Sequence, residues 1–328
     1  MKLTLISAAD IASALPMAEC IEVMKGAFAD FTAGRVQVPP RTVMDIDGEE
    51  GAGGTLLVKP AYIPQVGLGA KLVSVFPGNA ETGRPVTPGI VVHMSPTTGE
   101  PLAILDGTFL TAWRTGAASG AATDLLSDTD AKTGALFGAG AQGRTQVLAI
   151  DAVREFETIR VFSRTPETVR EFVQEMQPQV RAKLVAAESP SQALADADVI
   201  CTATTSNRPV FDGLHLAEGA HVNAVGSFTP DMQEVDLETI LRSRVFVDSI
   251  ASVSTEPGDL LDAMKAGITG PSEWTEVGSI VEGESQGRQE GDDCTLFKSV
   301  GLAVQDIAAG AVVIERALEK GLGTEVDL

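Results

Sequence analysis

The residues with the most specific spacing form a glycine-rich segment near the middle of the chain. Gly138, Gly140 and Gly143 match G-x-G-x-x-G, with a short apolar run before them and a stretch typical of a helix, 144–150, after them. In this setting the first glycine allows a tight turn, the second lets the backbone approach a pyrophosphate, and the third lets helix and strand pack closely. The free N–H groups of a helix N-terminus favour negative charge. The segment therefore predicts a dinucleotide-binding site.

The end of the following predicted strand bears on which dinucleotide binds. An NAD-binding unit usually carries Asp or Glu about 20 residues after the glycines, bonded to the ribose 2′-OH. Positions 161–165 contain no acid, and Ser163, Arg164 and Thr165 stand there instead. A guanidinium can pair bidentately with a phosphate, and the two hydroxyls can add donors. We therefore predict NADP(H) as the preferred cofactor and NAD(H) as the second option, the alternative being a solvated loop with an ordinary arginine.

Cations in the first 114 residues have the types and positions needed to bind a small carboxylate. Arg41 follows a Val-Pro-Pro sequence, Lys71 lies inside an apolar strand pattern, and Arg114 follows Trp113. Lys and Arg are rarely buried without a partner, and an anionic substrate of so acidic a protein needs a local positive focus. We predict a cationic pocket, with Lys59 as a fourth and weaker candidate. The alternative for Lys71 is a lysine that faces water from an edge strand.

Length and composition limit the classes of function. The chain has 328 residues and a formal net charge of −21. That length suggests two domains, and such acidity disfavours nucleic acid and anionic membranes as partners. Without an N-terminal signal pattern or an apolar run of about 20 residues, we expect a cytoplasmic protein. The few cysteines and histidines lack the spacing of a disulfide framework or a metal site, so no metal is expected.

The segments that must position these residues show two kinds of pattern. Between 42 and 106, turn signals separate strand-like runs at 55–58, 70–75, 89–94 and 101–105, and a helix is expected from about Thr111. From 133 onward, apolar strands alternate with amphipathic helices, which is the pattern of a doubly wound parallel sheet. The strands of this second region are predicted at 135–138, 159–162, 184–187, 199–203, 221–226 and 245–247.

Helices are also predicted near both ends of the chain. Residues 7–10 have the form of a capping box, and Pro16 opens a helix that Gly34 closes. A last helix is predicted from about Phe297 to Lys320, after a segment rich in Gly, Glu and Ser. Because this helix is apolar on much of its surface, we expect it to pack against the first domain or a second subunit.

Several separated motifs occur together and in order along the chain. They are Lys71 with 77–79, the phrases 105–108 and 110–115, 138–142, 223–227 and 296–301. In these motifs the chain resembles the ornithine cyclodeaminase/mu-crystallin family over nearly its whole length. The resemblance implies an α/β protein with a Rossmann doubly wound parallel sheet at 117–302. It also implies a split α+β substrate-binding and dimerisation domain, from 1–116 and 303–328, in a homodimer.

The resemblance also implies roles for individual residues. It implies that Arg41, Lys71 and Arg114 bind the substrate carboxylate. The residues that it places around the dinucleotide are Ala141, Gln142, Ser163, Arg164, Thr165, Thr204, His221, Val222, Asn223, Ala224 and Ser299.

Members of this family differ in the reaction that they catalyse. Cyclodeaminases carry two acids that align with Leu57 and Phe228 here, so both are missing, and the nearby Asp231 stands where reductase-type members also have Asp. The resemblance is therefore to Δ1-pyrroline-2-carboxylate and Δ1-piperideine-2-carboxylate (ketimine) reductases, which form proline and pipecolate. We expect Lys71 and Arg114 to be catalytic, with Lys71 holding the carboxylate or delivering a proton. The alternatives are ornithine cyclodeaminase, alanine dehydrogenase and a non-catalytic protein that binds NADPH and a small ligand.

Overall fold

The structure, a computed structural model, describes residues 2–48 and 53–327 and divides into two compact units. The first contains the residues up to Arg114 together with those from Leu302 onward, and the second runs from Thr115 to Gly301. The predicted boundaries were 116/117 and 302/303. The division of function between the two units stays a prediction.

The secondary structure alternates strands and helices in both units. In chain order, the strands of the described residues are β1 (Lys2–Ile6), β2 (Thr42–Ile46), β3 (Gly54–Ile63), β4 (Gly67–Val75), β5 (Gly89–Met94), β6 (Pro101–Asp106), β7 (Thr133–Phe137), β8 (Thr158–Phe162), β9 (Lys183–Ala186), β10 (Val199–Thr202), β11 (His221–Ala224), β12 (Ser243–Val247), β13 (Thr275–Glu276), β14 (Cys294–Lys298) and β15 (Thr324–Asp327). The α-helices of the same residues are α1 (Ala8–Ala14), α2 (Met17–Thr32), α3 (Gly107–Leu126), α4 (Ala141–Val153), α5 (Pro166–Met176), α6 (Pro190–Leu194), α7 (Leu237–Leu241), α8 (Ile250–Val253), α9 (Gly258–Lys265), α10 (Val277–Val281) and α11 (Ala303–Lys320).

The first unit is built on a mixed sheet whose strand order is β15-β1-β6-β5-β4-β3-β2. Its neighbouring strands are antiparallel except β1 and β6, which are parallel. The long hairpin of β3 and β4 places Lys59 directly opposite Lys71, on the same face of the sheet. Helix α11 packs against α1, α2 and strands β3, β4 and β5. The helix from the C-terminal end of the chain therefore covers this face of the sheet.

The second unit contains a parallel sheet with the strand order β13-β12-β14-β11-β10-β7-β8-β9. The segment β9-β8-β7-β10-β11 has the order 3-2-1-4-5 that defines the Rossmann fold. Hydrophobic cores include apolar side chains of the sheet, such as Phe137 and Ile200 in one cluster and Leu136 and Ile159 in another. The predicted fold class is confirmed: an α/β Rossmann sheet accompanies a smaller α+β unit.

Two predicted features near the chain ends are confirmed in detail. The Ser7 Oγ accepts a hydrogen bond from the Asp10 backbone N–H, and the Asp10 carboxylate accepts one from the Ser7 N–H, which completes the capping box. Gly321 has a φ of 65° at the end of α11, the left-handed conformation that glycine adopts most readily.

The predicted start of the last helix is wrong. Phe297 lies in β14, which pairs in parallel with β11 and β12 deep in the sheet, and the helix begins only at Ala303. A short run buried on both faces shows no strand periodicity, so the sequence alone does not separate it from the start of an apolar helix. Gly301, with a φ of 75°, makes the turn between strand and helix. Among the described residues, no helix is long and apolar enough to cross a membrane.

Candidate functional site

The glycine loop has the backbone geometry that each glycine was predicted to provide. Gly138 has a φ of 109°, and a Cβ added there would lie 2.4 Å from the Ala203 carbonyl oxygen. At Gly143 an added Cβ would lie 2.1 Å from the Gly138 carbonyl oxygen. At Gly140 it would meet no heavy atom within 4 Å. The first and third glycines therefore permit the turn and the helix packing, whereas the second faces open space.

A cavity of about 260 Å³ lies against this loop, at the carboxyl ends of β7, β8 and β10. Parallel α/β sheets bind their ligands at this edge, at the point where the strand order reverses. The predicted residues that the structure brings together around the cavity are Gly138, Gly140, Ser163, Arg164 and Thr204.

Helix α4 offers a second element for a phosphate. It begins at Ala141 with Gly140 as its N-cap, and no side chain caps its first backbone N–H groups. Arg164 is exposed beside Thr165, the N-cap of α5. The open approach at Gly140 and the uncapped helix N-terminus fit the pyrophosphate of a dinucleotide.

Other residues predicted around the dinucleotide lie in the interior of the second unit. His221, Val222, Asn223 and Ala224 form β11 and are fully buried. The Asn223 Nδ2 donates to the Thr123 Oγ1 over 2.9 Å. Burial lowers the pKa of His221 to about 3, so its ring is neutral at pH 7. These side chains do not line the cavity, and their contact with a cofactor stays a prediction.

Ser299 is also buried, and its hydroxyl is hydrogen-bonded to an acid. Its Oγ donates to the Asp248 Oδ2 over 2.7 Å, and the same oxygen accepts the backbone N–H of Val300 and of Gly301. This carboxylate fixes the turn that leads out of β14. The structure therefore gives Ser299 a role in the loop and does not place it on the cavity.

A buried glutamate that the sequence analysis missed organises the wall of the cavity. Glu234 accepts hydrogen bonds from the Thr204 N–H over 2.6 Å, the Thr204 Oγ1 over 2.8 Å and the Gly226 N–H over 2.7 Å. Burial raises the pKa of Glu234, and the charge of Lys298 opposes this effect. One carboxylate thus ties the loop after β10 to the loop after β11.

A second group of functional side chains lies in the first unit. Lys71 of β4 and Arg114 of α3 are only 2% and 4% exposed. The Asp306 Oδ2 lies 2.8 Å from the Lys71 Nζ, and the Asp306 Oδ1 accepts a hydrogen bond from the Arg114 Nε over 3.0 Å. Lys71 also donates to the Thr111 Oγ1 over 3.1 Å. The interpretation of Lys71 as a water-facing lysine is therefore wrong.

The charges in this cluster change the proton affinities of its members. Burial lowers the pKa of Lys71 to about 8, with Arg114 and Arg41 acting in the same direction and Asp306 opposing them. Burial, Lys71, Arg41 and Arg114 together lower the pKa of Lys59 well below its usual value. Burial alone would raise the pKa of Asp306, but the surrounding cations outweigh it and hold this pKa at about 2.

The structure thus brings the four predicted cations into one group, which we call the cation cluster: Arg41, Lys59, Lys71 and Arg114. Asp306 is the carboxylate that acts on the pKa values of Lys59 and Lys71. Lys71 and Arg114 both pair with the single carboxylate of Asp306, so positive charge exceeds negative charge among these three buried side chains. A small carboxylate would reduce this excess, so the arrangement suits an anionic ligand.

Asp306 and its neighbour Gln305 were missed by the sequence analysis. Both are fully buried on α11, and the Gln305 Oε1 accepts a hydrogen bond from the Arg114 Nη1 over 3.1 Å. Asp is almost never fully buried unless it is paired. An acid between Val304 and Ile307, in the mainly apolar first half of the helix, was therefore the available signal.

Comparison with known proteins agrees with these features. The model of the family described as "Ornithine cyclodeaminase/mu-crystallin family" matches residues 1–321. This chain belongs to that family. Among curated members, it is 38% identical to the Δ1-pyrroline-2-carboxylate reductase of Bacillus cereus, over 98% of this chain and 99% of the relative.

Two solved structures show the same fold over the whole chain. The first is Δ1-pyrroline-2-carboxylate reductase from Thermococcus litoralis in complex with NADH and L-proline. It has a TM-score of 0.93 and 38% identity, over 98% of this chain and 100% of that one. The second is an archaeal alanine dehydrogenase dimer with bound NAD. It has a TM-score of 0.90 and 28% identity, over 100% of both chains. Both the reductase and the dehydrogenase alternatives therefore occur on this ornithine cyclodeaminase/mu-crystallin fold.

Proposed function

We propose that this protein is an NAD(P)H-dependent oxidoreductase that reduces the C=N bond of a small cyclic imino acid. Its substrates are Δ1-pyrroline-2-carboxylate and Δ1-piperideine-2-carboxylate, and its products are proline and pipecolate. The observation that carries the proposal is the buried pair Lys71 and Arg114, which share the one carboxylate of Asp306 and so have positive charge to offer a small carboxylate. The identity to Δ1-pyrroline-2-carboxylate reductase over nearly the whole chain supports it.

The residues of the cation cluster have distinct roles in this reaction. Reduction of the imine adds a hydride to carbon and a proton to nitrogen, and a bound dihydronicotinamide supplies the hydride. Arg114 and Arg41 hold the carboxylate, and this orientation of the imine carbon supplies much of the catalysis. Because the pKa of Lys71 is about 8, its side chain is mostly an ammonium at pH 7. Lys71 therefore holds the carboxylate as a further cation or donates the proton to nitrogen.

The side chains at positions 57 and 228 disfavour cyclisation of ornithine. Leu57 and Phe228 stand where cyclodeaminases carry the two acids that assist loss of ammonia. Asp231, the nearest acid in sequence to Phe228, is exposed on a loop of the second unit. We therefore expect no useful conversion of ornithine to proline.

A substrate screen tests the proposed function. Oxidation of NADPH and of NADH is followed with each of the two cyclic imines. The same assay is run with pyruvate and other α-keto acids in the presence of ammonia or methylamine. Release of ammonia from ornithine is measured in the presence of NAD. We expect turnover with the cyclic imines and little with the other compounds. Faster turnover of pyruvate with ammonia would identify an alanine dehydrogenase, and ammonia release from ornithine at a comparable rate would make Asp231 the candidate acid. Ligand binding without any turnover would identify a binding protein.

For the cofactor, we propose a preference for NADPH through Ser163, Arg164 and Thr165. Arg164 lines the cavity at the carboxyl end of β8, and among the described residues no carboxylate pairs with it. Arg164→Ala should mainly raise the KM for NADPH, because loss of one charge-assisted contact costs about 1.5–3 kcal/mol. The KM for NADH should change little. Steady-state kinetics with both cofactors measures this difference.

The matched control for this variant is Arg170→Ala, in the same unit. Arg170 is exposed on α5 and pairs with Glu167 three residues before it. Its removal should leave both KM values unchanged. Equal use of NADH and NADPH by the wild type would contradict the assignment of Arg164 to a 2′-phosphate. The two solved relatives above contain NADH and NAD, which makes this comparison necessary.

We further propose that the protein forms a homodimer through the first unit. The face of the mixed sheet opposite the cation cluster, with the edge strand β2, leaves large apolar side chains exposed. They are Leu5, Val43, Met44, Ile46, Ile90 and Leu102. Large apolar side chains left exposed together are typical of interaction surfaces, and the alanine dehydrogenase above is a dimer. Sedimentation equilibrium should give twice the chain mass, whereas the mass of one chain would contradict this proposal.

A further inference from the structure

The carboxylate of Asp306 occupies a central position among the predicted substrate-binding cations. Its Oδ1 accepts hydrogen bonds from both the Arg114 Nε and the Lys71 Nζ, each over 3.0 Å, and its Oδ2 lies 2.8 Å from the same Lys71 nitrogen. The three groups come from α11, α3 and β4, and Asp306 is 235 residues from Lys71 in the sequence. One side chain therefore fixes the relative positions of two cations that no local structure connects.

The contacts of Arg114 leave part of its guanidinium for a ligand. Its Nε donates to Asp306 and its Nη1 donates to the Gln305 Oε1. Within the described residues, no protein acceptor is hydrogen-bonded to Nη2. A guanidinium carries five N–H donors in a rigid plane, so fixing one edge also fixes the direction of the other. Asp306 and Gln305 thus aim the remaining edge of Arg114.

Asp306 also stabilises the charged form of Lys71. Burial and the neighbouring cations lower the pKa of this lysine to about 8, and Asp306 is the group that opposes them. Removal of the negative charge would lower the pKa further, so the ammonium would lose its proton at a lower pH. Arg114 from α3 and Arg41 also act on Lys71, and Lys59 from β3 lies opposite it in the sheet.

Two further buried titratable groups lie on elements packed near the cluster, and neither changes charge between pH 6 and 10. Burial lowers the pKa of His93 on β5 to about 4, and this side chain bonds the Ile307 carbonyl. Burial raises the pKa of Cys20 on α2 to about 12. If replacement of Asp306 changes the titration midpoint of Lys71, neither His93 nor Cys20 accounts for that change.

We infer that Asp306 is a positioning residue of the carboxylate site: it holds Arg114 in the orientation that receives the substrate and keeps Lys71 charged. This role rests on the proposed function, since it assigns those two cations to a substrate carboxylate. Asp306 does not itself face the ligand. It acts through the two side chains that do.

The variant Asp306→Asn tests this role, because an amide of nearly the same size carries no charge and turns a donor toward one of the cations. We expect kcat/KM for a cyclic imino acid to fall on the order of 10²-fold, since small misplacement of a positioning group has that effect. The alkaline limb of the pH profile of kcat/KM should move to lower pH by about one unit or more. Asp306→Glu, which retains the charge, should restore the pH profile while kcat/KM stays below that of the wild type.

A second measurement does not depend on turnover. In protein labelled with ¹³C at the lysine Cε, with the Lys71 resonance assigned by Lys71→Met, the titration midpoint of Lys71 is followed by NMR. We expect it to be lower in Asp306→Asn than in the wild type and to return in Asp306→Glu. Glu19→Gln is the matched control. Glu19 of α2 pairs with Arg316, which lies on α11 as Asp306 does but outside the cation cluster. This control should leave both the pH profile and the midpoint unchanged.

The outcomes separate this inference from the proposed function. An unchanged Lys71 midpoint and pH profile in folded Asp306→Asn would overturn the role of Asp306, even if the wild type reduces cyclic imines well. A shifted midpoint in a protein that reduces none of the imines would contradict the proposed function, and of the role of Asp306 only its effect on the charge of Lys71 would stand.

Discussion

Arg114→Lys is expected to lower kcat/KM for a carboxylated cyclic imine nearly as far as Arg114→Ala does. A planar guanidinium binds a carboxylate through two parallel N–H bonds, and an ammonium has a different shape and donor geometry. In this structure Asp306 and Gln305 already bind one edge of the Arg114 guanidinium. A lysine ammonium cannot make both of these contacts and also present a second edge to a ligand. Truncation of a buried, hydrogen-bonded charge pair costs about 2–5 kcal/mol, so we expect a loss on the order of 10²-fold or more.

Steady-state kinetics of both variants, with NADPH binding measured by fluorescence or calorimetry, checks this expectation. NADPH affinity should stay close to that of the wild type, because the predicted phosphate contacts lie in the second unit, around Gly140. Arg35→Lys is the control, since Arg35 is an exposed arginine that pairs with Asp30 in the same unit as Arg114. It should retain full activity.

Arg41→Ala extends the same test to a second cation. It should weaken binding of the imino acid and leave NADPH affinity unchanged, because Arg41 lies outside every predicted cofactor-binding segment. If Arg41→Ala and Arg114→Ala both kept wild-type kcat/KM, the cations would be structural. Lys59, which lies opposite Lys71 in the sheet, would then be the next candidate for the carboxylate.

Gly140→Ala and Gly143→Ala should damage the protein in different ways. A Cβ at Gly143 would lie 2.1 Å from a backbone oxygen that cannot move aside, so we expect a loss of stability of about 1–3 kcal/mol or more. A Cβ at Gly140 meets nothing within 4 Å, and the residue has an ordinary φ of −90°. That variant should fold normally, yet its methyl group enters the space through which the pyrophosphate approaches. We expect the Kd for NADPH to rise about tenfold or more, as loss of a charge-assisted contact implies.

Thermal unfolding and NADPH titration of both variants measure this difference. Gly270→Ala is the matched control, because its added Cβ also meets nothing within 4 Å and it lies in the same unit. It should change neither Tm nor the Kd for NADPH. Wild-type NADPH affinity in Gly140→Ala would contradict the assignment of the cofactor to this loop.

The local features of the fold were predictable because their causes are local. Gly138 and Gly143 stand where the strand-turn-helix geometry excludes any side chain, and this requirement is written in the residue type itself. The strands of the Rossmann sheet follow from apolar runs between amphipathic helices, and the capping box at Ser7 follows from a four-residue spacing. Each of these signals lies within a dozen residues.

The remaining features depend on contacts between distant segments. Phe297 was assigned to a helix because a strand with neighbours on both sides has no exposed face, and so no alternation marks it. Asp306 carries no motif of its own, and its importance appears only when α11 returns to the sheet that holds Lys71. Asn223 was recognised as part of a motif, but its side chain lies in the interior, bonded to Thr123. Tertiary pairing of polar groups cannot be derived from their spacing in sequence.

Isotopic labelling follows the hydride from the nicotinamide to the carbon of the imine. The wild-type protein is incubated with Δ1-pyrroline-2-carboxylate and NADPH that carries deuterium at C4 of the nicotinamide, in separate reactions with the 4R and 4S labels. The account predicts proline with one deuterium at Cα from one of the two labels and unlabelled proline from the other. Failure to form proline, or formation of proline without deuterium at Cα from either label, would contradict hydride transfer to the carbon of the imine.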